Sequence, residues 1–152
     1  MITLDSETCG YHGVMVLLQY AVDDGEIKLY NVWKNPIHET LTLLEWIASQ
    51  EVCMFNAAFD WFHVSKIHAM FSMFPDHDAI PEDHIEELAI LEKQARFSKF
   101  CIKPKACIDL MLHARKGPYQ SLMERNDIRI RRVPTRLAEP LQRELEKRVE
   151  LD

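Results

Sequence analysis

Asp5-Ser6-Glu7 closes the first apolar run of this chain, Ile2-Thr3-Leu4, and sets two carboxylates two residues apart. Side chains on a strand alternate with a period of two, so Asp5 and Glu7 project from one face. Adjacent carboxylates repel unless a cation lies between them. A hard divalent ion, which prefers oxygen donors, is the partner this chemistry implies. Farther along, Asn56-Ala57-Ala58-Phe59-Asp60 straddles a strand-to-helix switch. Asp60 supplies a third carboxylate, enough for a candidate two-metal site of the kind that cuts phosphodiesters. Asn56 and Asp60 are one helical turn apart and share a side of the helix start, where free backbone N–H groups favour an anionic ligand. A D-x-E is expected about once by chance in a chain this long, so the pattern alone is weak. Its place at the end of a buried strand, where ligand sites of α/β sheets gather, adds weight.

The elements that must position these acids follow from pattern. Met1–Asp5 reads as a buried strand, Val14–Val22 as a second and Glu26–Trp33 as a third, with Asp23-Asp24-Gly25 a hairpin turn between the last two. Pro36–Gln50 carries Leu41, Leu44, Ile47 and Ala48 at helical spacing, with Pro36 at the helix start. Val52–Phe55 is a short strand, parallel to the first because a helix crosses over to reach it. A helix over Ala57–Met73 is aromatic on one side through Phe59, Phe62 and Phe71. A loop at Phe74–Pro81 follows, then a helix at Pro81–Phe97 whose charge order matches its dipole. Ala106–Asp109 reads as a last strand leading into a helix at Leu110–Arg115. A helical turn at Tyr119–Arg125, an extended basic run at Arg129–Pro134 and a final helix from Pro140, with the stripe Leu141, Leu145 and Val149, complete the reading. Three antiparallel strands, a helix, then a strand parallel to the first is the order of a ribonuclease-H-like α/β domain: a mixed sheet flanked by helices.

At 152 residues and 47% hydrophobic, the chain can bury the core of one domain. No apolar run approaches the roughly 18 residues of a membrane helix, and no secretory signal opens the sequence, so a cytoplasmic location is expected. Cys9, Cys53, Cys101 and Cys107 show no C-x-x-C spacing and read as thiols in a reducing compartment. Zinc at Cys101, Cys107 and His113 matches no standard module. The formal charge of −6 hides a division along the chain. Residues 1–92 hold 3 Lys/Arg against 16 Asp/Glu, whereas residues 93–136 hold 12 against 3. An acidic site beside a basic stretch suits a metal-dependent enzyme that must hold a polyanion; a solvated face or subunit contact would need the same residues.

Leu4-Asp5-Ser6-Glu7-Thr8 resembles the first motif, D-x-E-T, of the proofreading 3′–5′ exonucleases of the DnaQ-like (DEDD) superfamily. Phe55-Asn56-Ala57-Ala58-Phe59-Asp60 resembles their second, N-x-x-x-(F)-D. The likeness is nearest to the exonuclease domain of phage-type family A DNA polymerases and covers roughly the first 110 residues. It implies that Asp5 bridges two Mg²⁺ or Mn²⁺ ions, that Glu7 and Asp60 complete their ligation, and that Asn56, Phe59 and Thr8 hold the terminal nucleotide. It also implies hydrolysis at the 3′ end of single-stranded DNA, a polymerase domain in the same longer chain, and no membrane. Phe59 would stack on or wedge against a base, a contact suited to single strands, or would serve as a core residue.

The family's third motif, Y-x-x-x-D or H-x-x-x-D on a late helix, supplies a fourth acid. Here Tyr119 is followed four residues on by Met123, His113 by Gly117 and His84 by Leu88. Asp109 lies where the family often has a structural or peripheral Asp, and Asp127, Glu144 and Glu146 are weaker substitutes. The expectation is therefore one exonuclease-like domain over residues 1–152, incomplete at its C-terminus, with one metal site intact and weak or absent activity. The alternatives are an RNA-trimming exonuclease and a non-catalytic module that binds nucleic acid or docks on a polymerase. His63 and His68, five apart, do not share a helix face as ligands would, and Trp33, Trp46 and Trp61 read as core or half-buried anchors.

Overall fold

The computed structural model describes residues 1–10, 13–95 and 102–114. The elements expected beyond Ala114, together with Cys101, Asp127, Glu144 and Glu146, lie outside the described residues. The chain divides into two compact units, Met1–Leu110 and Met111–Asp152. The first is an α/β unit built on a five-stranded mixed sheet. Its elements are β1 (Ile2–Thr8), β2 (Met15–Val22), β3 (Lys28–Asn31), α1 (Ile37–Ala48), β4 (Glu51–Met54), α2 (Ala57–Met73), a 3₁₀ turn (Pro81–His84), α3 (Ile85–Ala95) and β5 (Ala106–Asp109). A short helix, α4 (Leu110–Ala114), follows β5.

Strand order is β3-β2-β1-β4-β5, which puts β1 at the centre. β1 is antiparallel to β2 and parallel to β4, and β4 is parallel to β5. The strict alternation of β1 decides what each face carries. Ile2, Leu4 and Ser6 are buried, whereas Thr3, Asp5 and Glu7 are exposed on the reverse face. Helices α1 and α2 cover the buried face: the Tyr30 hydroxyl on β3 meets Thr40 of α1 at 2.9 Å, and Ser6 meets Asp60 of α2. The core between these layers is aliphatic, with Ile2, Leu4, Leu18, Leu44, Ile47, Val52, Ile67 and Phe71 all buried.

Three expectations change in detail. β1 runs three residues past Asp5, so D-x-E sits inside a strand rather than at its end. β3 is shorter than Glu26–Trp33, because Asn31 turns back to accept the Trp33 amide at 2.9 Å. The three phenylalanines of α2 do not share a side: Phe71 is buried, Phe62 is exposed and Phe59 is half-buried. Trp33 and Trp61 are half-buried anchors whose indole N–H groups donate to the carbonyls of Met15 and Ile102, whereas Trp46, expected to be like them, is exposed on the outer side of α1. Cys9, Cys53 and Cys107 are free thiols. No helix among the described residues is long and apolar enough to cross a membrane.

A buried cation ties α2 to its neighbours. Lys66 Nζ donates to the Gly13 carbonyl of the β1–β2 loop at 2.7 Å and lies 3.4 Å from Glu92 of α3. The same loop admits no side chain at Gly13, where a Cβ would fall 1.8 Å from the Cys9 carbonyl oxygen. With Lys66 only 2% exposed, the pair is desolvated, and removing one partner leaves the other charge in a poor environment. Lys66→Met is expected to cost about 3 kcal/mol, and adding Glu92→Leu to recover much of that, as urea denaturation would show.

Candidate functional site

β4 pairs with β1 only through Ile2–Val52 and Thr3–Cys53, then ends at Met54 as the chain turns into α2. β1 continues beside β2 alone, which leaves the Ser6 amide on the β4 side without a strand partner. Asp60, from the first turn of α2, fills that vacancy. Its Oδ1 accepts the Ser6 backbone N–H at 3.1 Å and the Ser6 hydroxyl at 2.5 Å. Both residues are buried, and the contact joins the two motifs across 54 residues of sequence.

The start of α2 is set by a second carboxylate. Asn56 adopts a left-handed conformation (φ 63°, ψ 59°), which Asn tolerates better than most residues. Asp109, at the end of β5, accepts the amides of Asn56 and Ala57 at 3.1 and 3.0 Å. Those N–H groups read in the sequence as an anion site for a ligand; the anion they hold is the protein's own Asp109. Asp109 is thus structural, with the register pair Met54–Asp109 carrying its position from β5 to the helix start.

Asp5 and Glu7 share the exposed face, as their spacing requires. Asp5 is the register partner of Gln19, whose Nε2 donates to Glu7 Oε1 at 3.3 Å. Beside Asp5 lies an open hollow of about 240 Å³ lined by Thr3, Gln19, Ala21 and Ile27. Asp60 does not share that face; it reaches the strand from the helix side. Burial pushes its carboxyl above the ordinary carboxylate range, the Ser6 hydroxyl bond opposes this, and the charges of Asp5 and Glu7 push it further up. Asp60 therefore senses the two acids of β1 through the strand. Among the described residues no ion pair joins any of them to a cationic side chain.

The remaining expected residues cluster nearby in varied roles. The Thr8 hydroxyl donates to the Gly10 carbonyl at 2.7 Å and so shapes the loop after β1. Phe59 is half-buried and packs edge-on to His63, with ring centroids 4.7 Å apart. The Asn56 side chain makes no cap bond to the helix it begins. A Y-x-x-x-D pattern does occur at Tyr20–Asp24, but it lies in β2 and the turn after it, not on a helix. Sequence reasoning missed Ser6 and Gln19. Gln19 was detectable as the single polar residue of the apolar run Met15–Val22; Ser6 sat unread between the two acids.

Carboxylate oxygens suit a hard divalent cation, but Asp5 and Glu7 project from the face of β1 opposite Asp60, so the three do not line one coordination site. Among the described residues, no group of three His, Cys, Asp or Glu side chains is gathered tightly enough to hold one as it stands. Asp60 is the fixed member, with Oδ1 committed to Ser6, while Asp5 and Glu7 are exposed. Comparison with family models, with curated proteins and with solved structures returns no match to this chain.

Two outcomes follow. Asp109→Ala is expected to cost about 2 kcal/mol and to speed hydrogen exchange at the Asn56 and Ala57 amides, with β1–β2 amides unchanged; Asp109→Asn is milder because one acceptor oxygen remains. The raised Asp60 carboxyl binds its proton more tightly in the folded than in the unfolded chain. Its contribution to stability therefore falls as pH rises from the unfolded value, about 3.9, through the folded one. In metal-free buffer, Asp60→Asn is expected to be more stable than the unaltered chain near neutral pH. That advantage should vanish below about pH 3.9 in denaturation curves taken across the range.

Proposed function

We propose that the chain is a divalent-metal-dependent 3′–5′ exonuclease domain of the DnaQ-like superfamily, with a ribonuclease-H-like fold. The observation that carries this reading is the Asp60–Ser6 contact, which brings the second motif onto the strand that bears the first. Strand order supports it, with the D-x-E strand central, antiparallel to β2 and parallel to β4. The uncompensated charge of Asp5, Glu7 and Asp60 supports the metal, Mg²⁺ or Mn²⁺.

In this reading Asp5, Glu7 and Asp60 would hold the metal once Asp5 and Glu7 turn from the opposite face of β1, and it would then lower the pKa of a water and stabilise charge on the departing 3′ oxygen. Asp60 is presented by α2 and kept in place by Ser6. Gln19 steadies Glu7 from the neighbouring strand. Phe59 and Asn56, at the start of α2, flank the place where a terminal nucleotide would meet the acids. The substrate is the 3′ end of single-stranded DNA, and the partner is a polymerase domain in the same longer chain. The basic stretch of residues 93–136, with 12 Lys/Arg against 3 Asp/Glu, is the part of the sequence suited to phosphate contacts. No late Tyr or His precedes an Asp by four residues, so turnover by these residues alone is slow.

The absence of an assembled three-carboxylate group among the described residues favours a second reading, a module that binds nucleic acid without cutting it. A single-turnover assay separates the two: excess protein, Mn²⁺ and a 5′-labelled single-stranded oligodeoxynucleotide. An exonuclease gives slow shortening from the 3′ end, reduced at least about a hundredfold by Asp5→Ala or Glu7→Ala. A binding module gives no shortening and unchanged affinity in both variants.

A further inference from the structure

We infer that the outer edge of β3 is a self-association surface, on which a second copy of this chain adds its own β3 antiparallel, Leu29 against Leu29. β3 closes one side of the sheet, and its register with β2 fixes which main-chain groups look outward. The Val32 amide donates to the Val16 carbonyl at 3.2 Å, in the same register as the pairs Leu18–Tyr30 and Tyr20–Lys28. Lys28 and Tyr30 therefore turn their N–H and C=O groups toward β2, and Leu29 and Asn31 turn theirs off the sheet. The Asn31 carbonyl is already engaged, accepting from the Lys34 amide at 3.3 Å and from the Asn35 side chain at 2.8 Å. Among the described residues nothing meets the N–H and C=O of Leu29, so both groups are open to an added strand.

The side chains match a second copy. Ile27 and Leu29 are each 66% exposed, more than any other large apolar residue among those described. Edge strands are usually guarded by charge, proline or a bulge. The single charge of β3 is Lys28, which lies on the helix-covered face with its Nζ 5.9 Å from the Tyr20 ring centroid. A two-fold axis through the Leu29 pair sets Lys28 opposite Tyr30 and Ile27 opposite Asn31, so no like charges face each other. The two Leu29 residues exchange both main-chain hydrogen bonds and cover one another's side chains. Each copy offers this edge once, so the pairing closes as a dimer instead of growing into a fibre. Strands this short bury well under the roughly 1,600 Å² of a standard interface, which makes the dimer weak, with a Kd on the order of 20 µM.

The test is sedimentation velocity of the full chain in about 0.15 M salt, where the net charge of −6 on each copy is screened. The chain is expected to be monomeric at about 1 µM and mostly dimeric at about 100 µM. Leu29→Lys sets two like charges directly opposite each other and is expected to stay monomeric throughout. Ile90→Lys, at an apolar residue 64% exposed on α3, is expected to dimerise like the unaltered chain. Thermal unfolding followed by circular dichroism checks that both variants fold, as substitutions at exposed positions should. Amide exchange followed by nuclear magnetic resonance reads the edge itself. The Leu29 amide is expected to slow about threefold between about 10 and 200 µM, with the Lys28 and Tyr30 amides, bonded to β2, unchanged. A chain that is monomeric at every concentration overturns the inference. So does a dimer that Leu29→Lys forms equally well, or one that leaves exchange at Leu29 unchanged, because the contact then lies on another face. Species that keep growing beyond the dimer also overturn it, because a closed pairing cannot produce them.

Discussion

One amide decides how this site is put together. When β4 ends at Met54 and the chain turns into α2, the central strand continues with an unpaired N–H at Ser6. An unpaired buried amide is costly, and the nearest acceptor is a carboxylate on the departing helix. Asp60 meets the need and is drawn into a buried position, where its charge is unfavourable and Asp5 and Glu7 make it more so. The sheet gains a completed edge, and the helix brings a fixed acid to the face of β1 opposite the two that the strand already bears. Folding and the placement of the acids are the same event.

The surrounding structure serves that placement. Asp109 holds the left-handed Asn56 and the first turn of α2 from β5, so the helix starts at a defined height above the sheet. Lys66, farther along the same helix, fastens α2 to α3 and to the loop that leaves β1 after Thr8. The helix is thereby held by charged groups at its start and its middle and along its length by Val64, Ile67 and Met70 in the core. Charge is used sparingly inside the sheet and is concentrated where the strands diverge. Such accumulated like charge is poor for stability.

Much of this was legible in the sequence because it follows from periodicity. The five strands, their order of appearance and the helices at 37–48, 57–73 and 85–95 match the expected elements to within a few residues. The shared face of Asp5 and Glu7 follows from alternation alone. What was not legible depends on long-range pairing. Nothing local to Ser6 says that β4 stops short of it, so its bond to Asp60 could not be read from a stretch of seven residues. The same holds for Asp109, whose role depends on β5 lying beside β4. The helix start seemed open to a ligand because its occupant comes from 52 residues away. The spread of Phe59, Phe62 and Phe71 around α2 was misread because aromatic content was counted without its helical angle.

The central claim is that Asp5 and Glu7, on one face of β1, come together with Asp60, on the other, around one divalent cation with Ser6 still clamped on Asp60. A crystal structure of the protein soaked in MnCl₂, with anomalous diffraction, tests it most directly. The account expects a manganese peak bound by Asp60 and at least one of Asp5 and Glu7, and the Ser6 hydroxyl still on Asp60 Oδ1. Manganese bound only at other acids, with Asp60 unmoved and unligated, would contradict it.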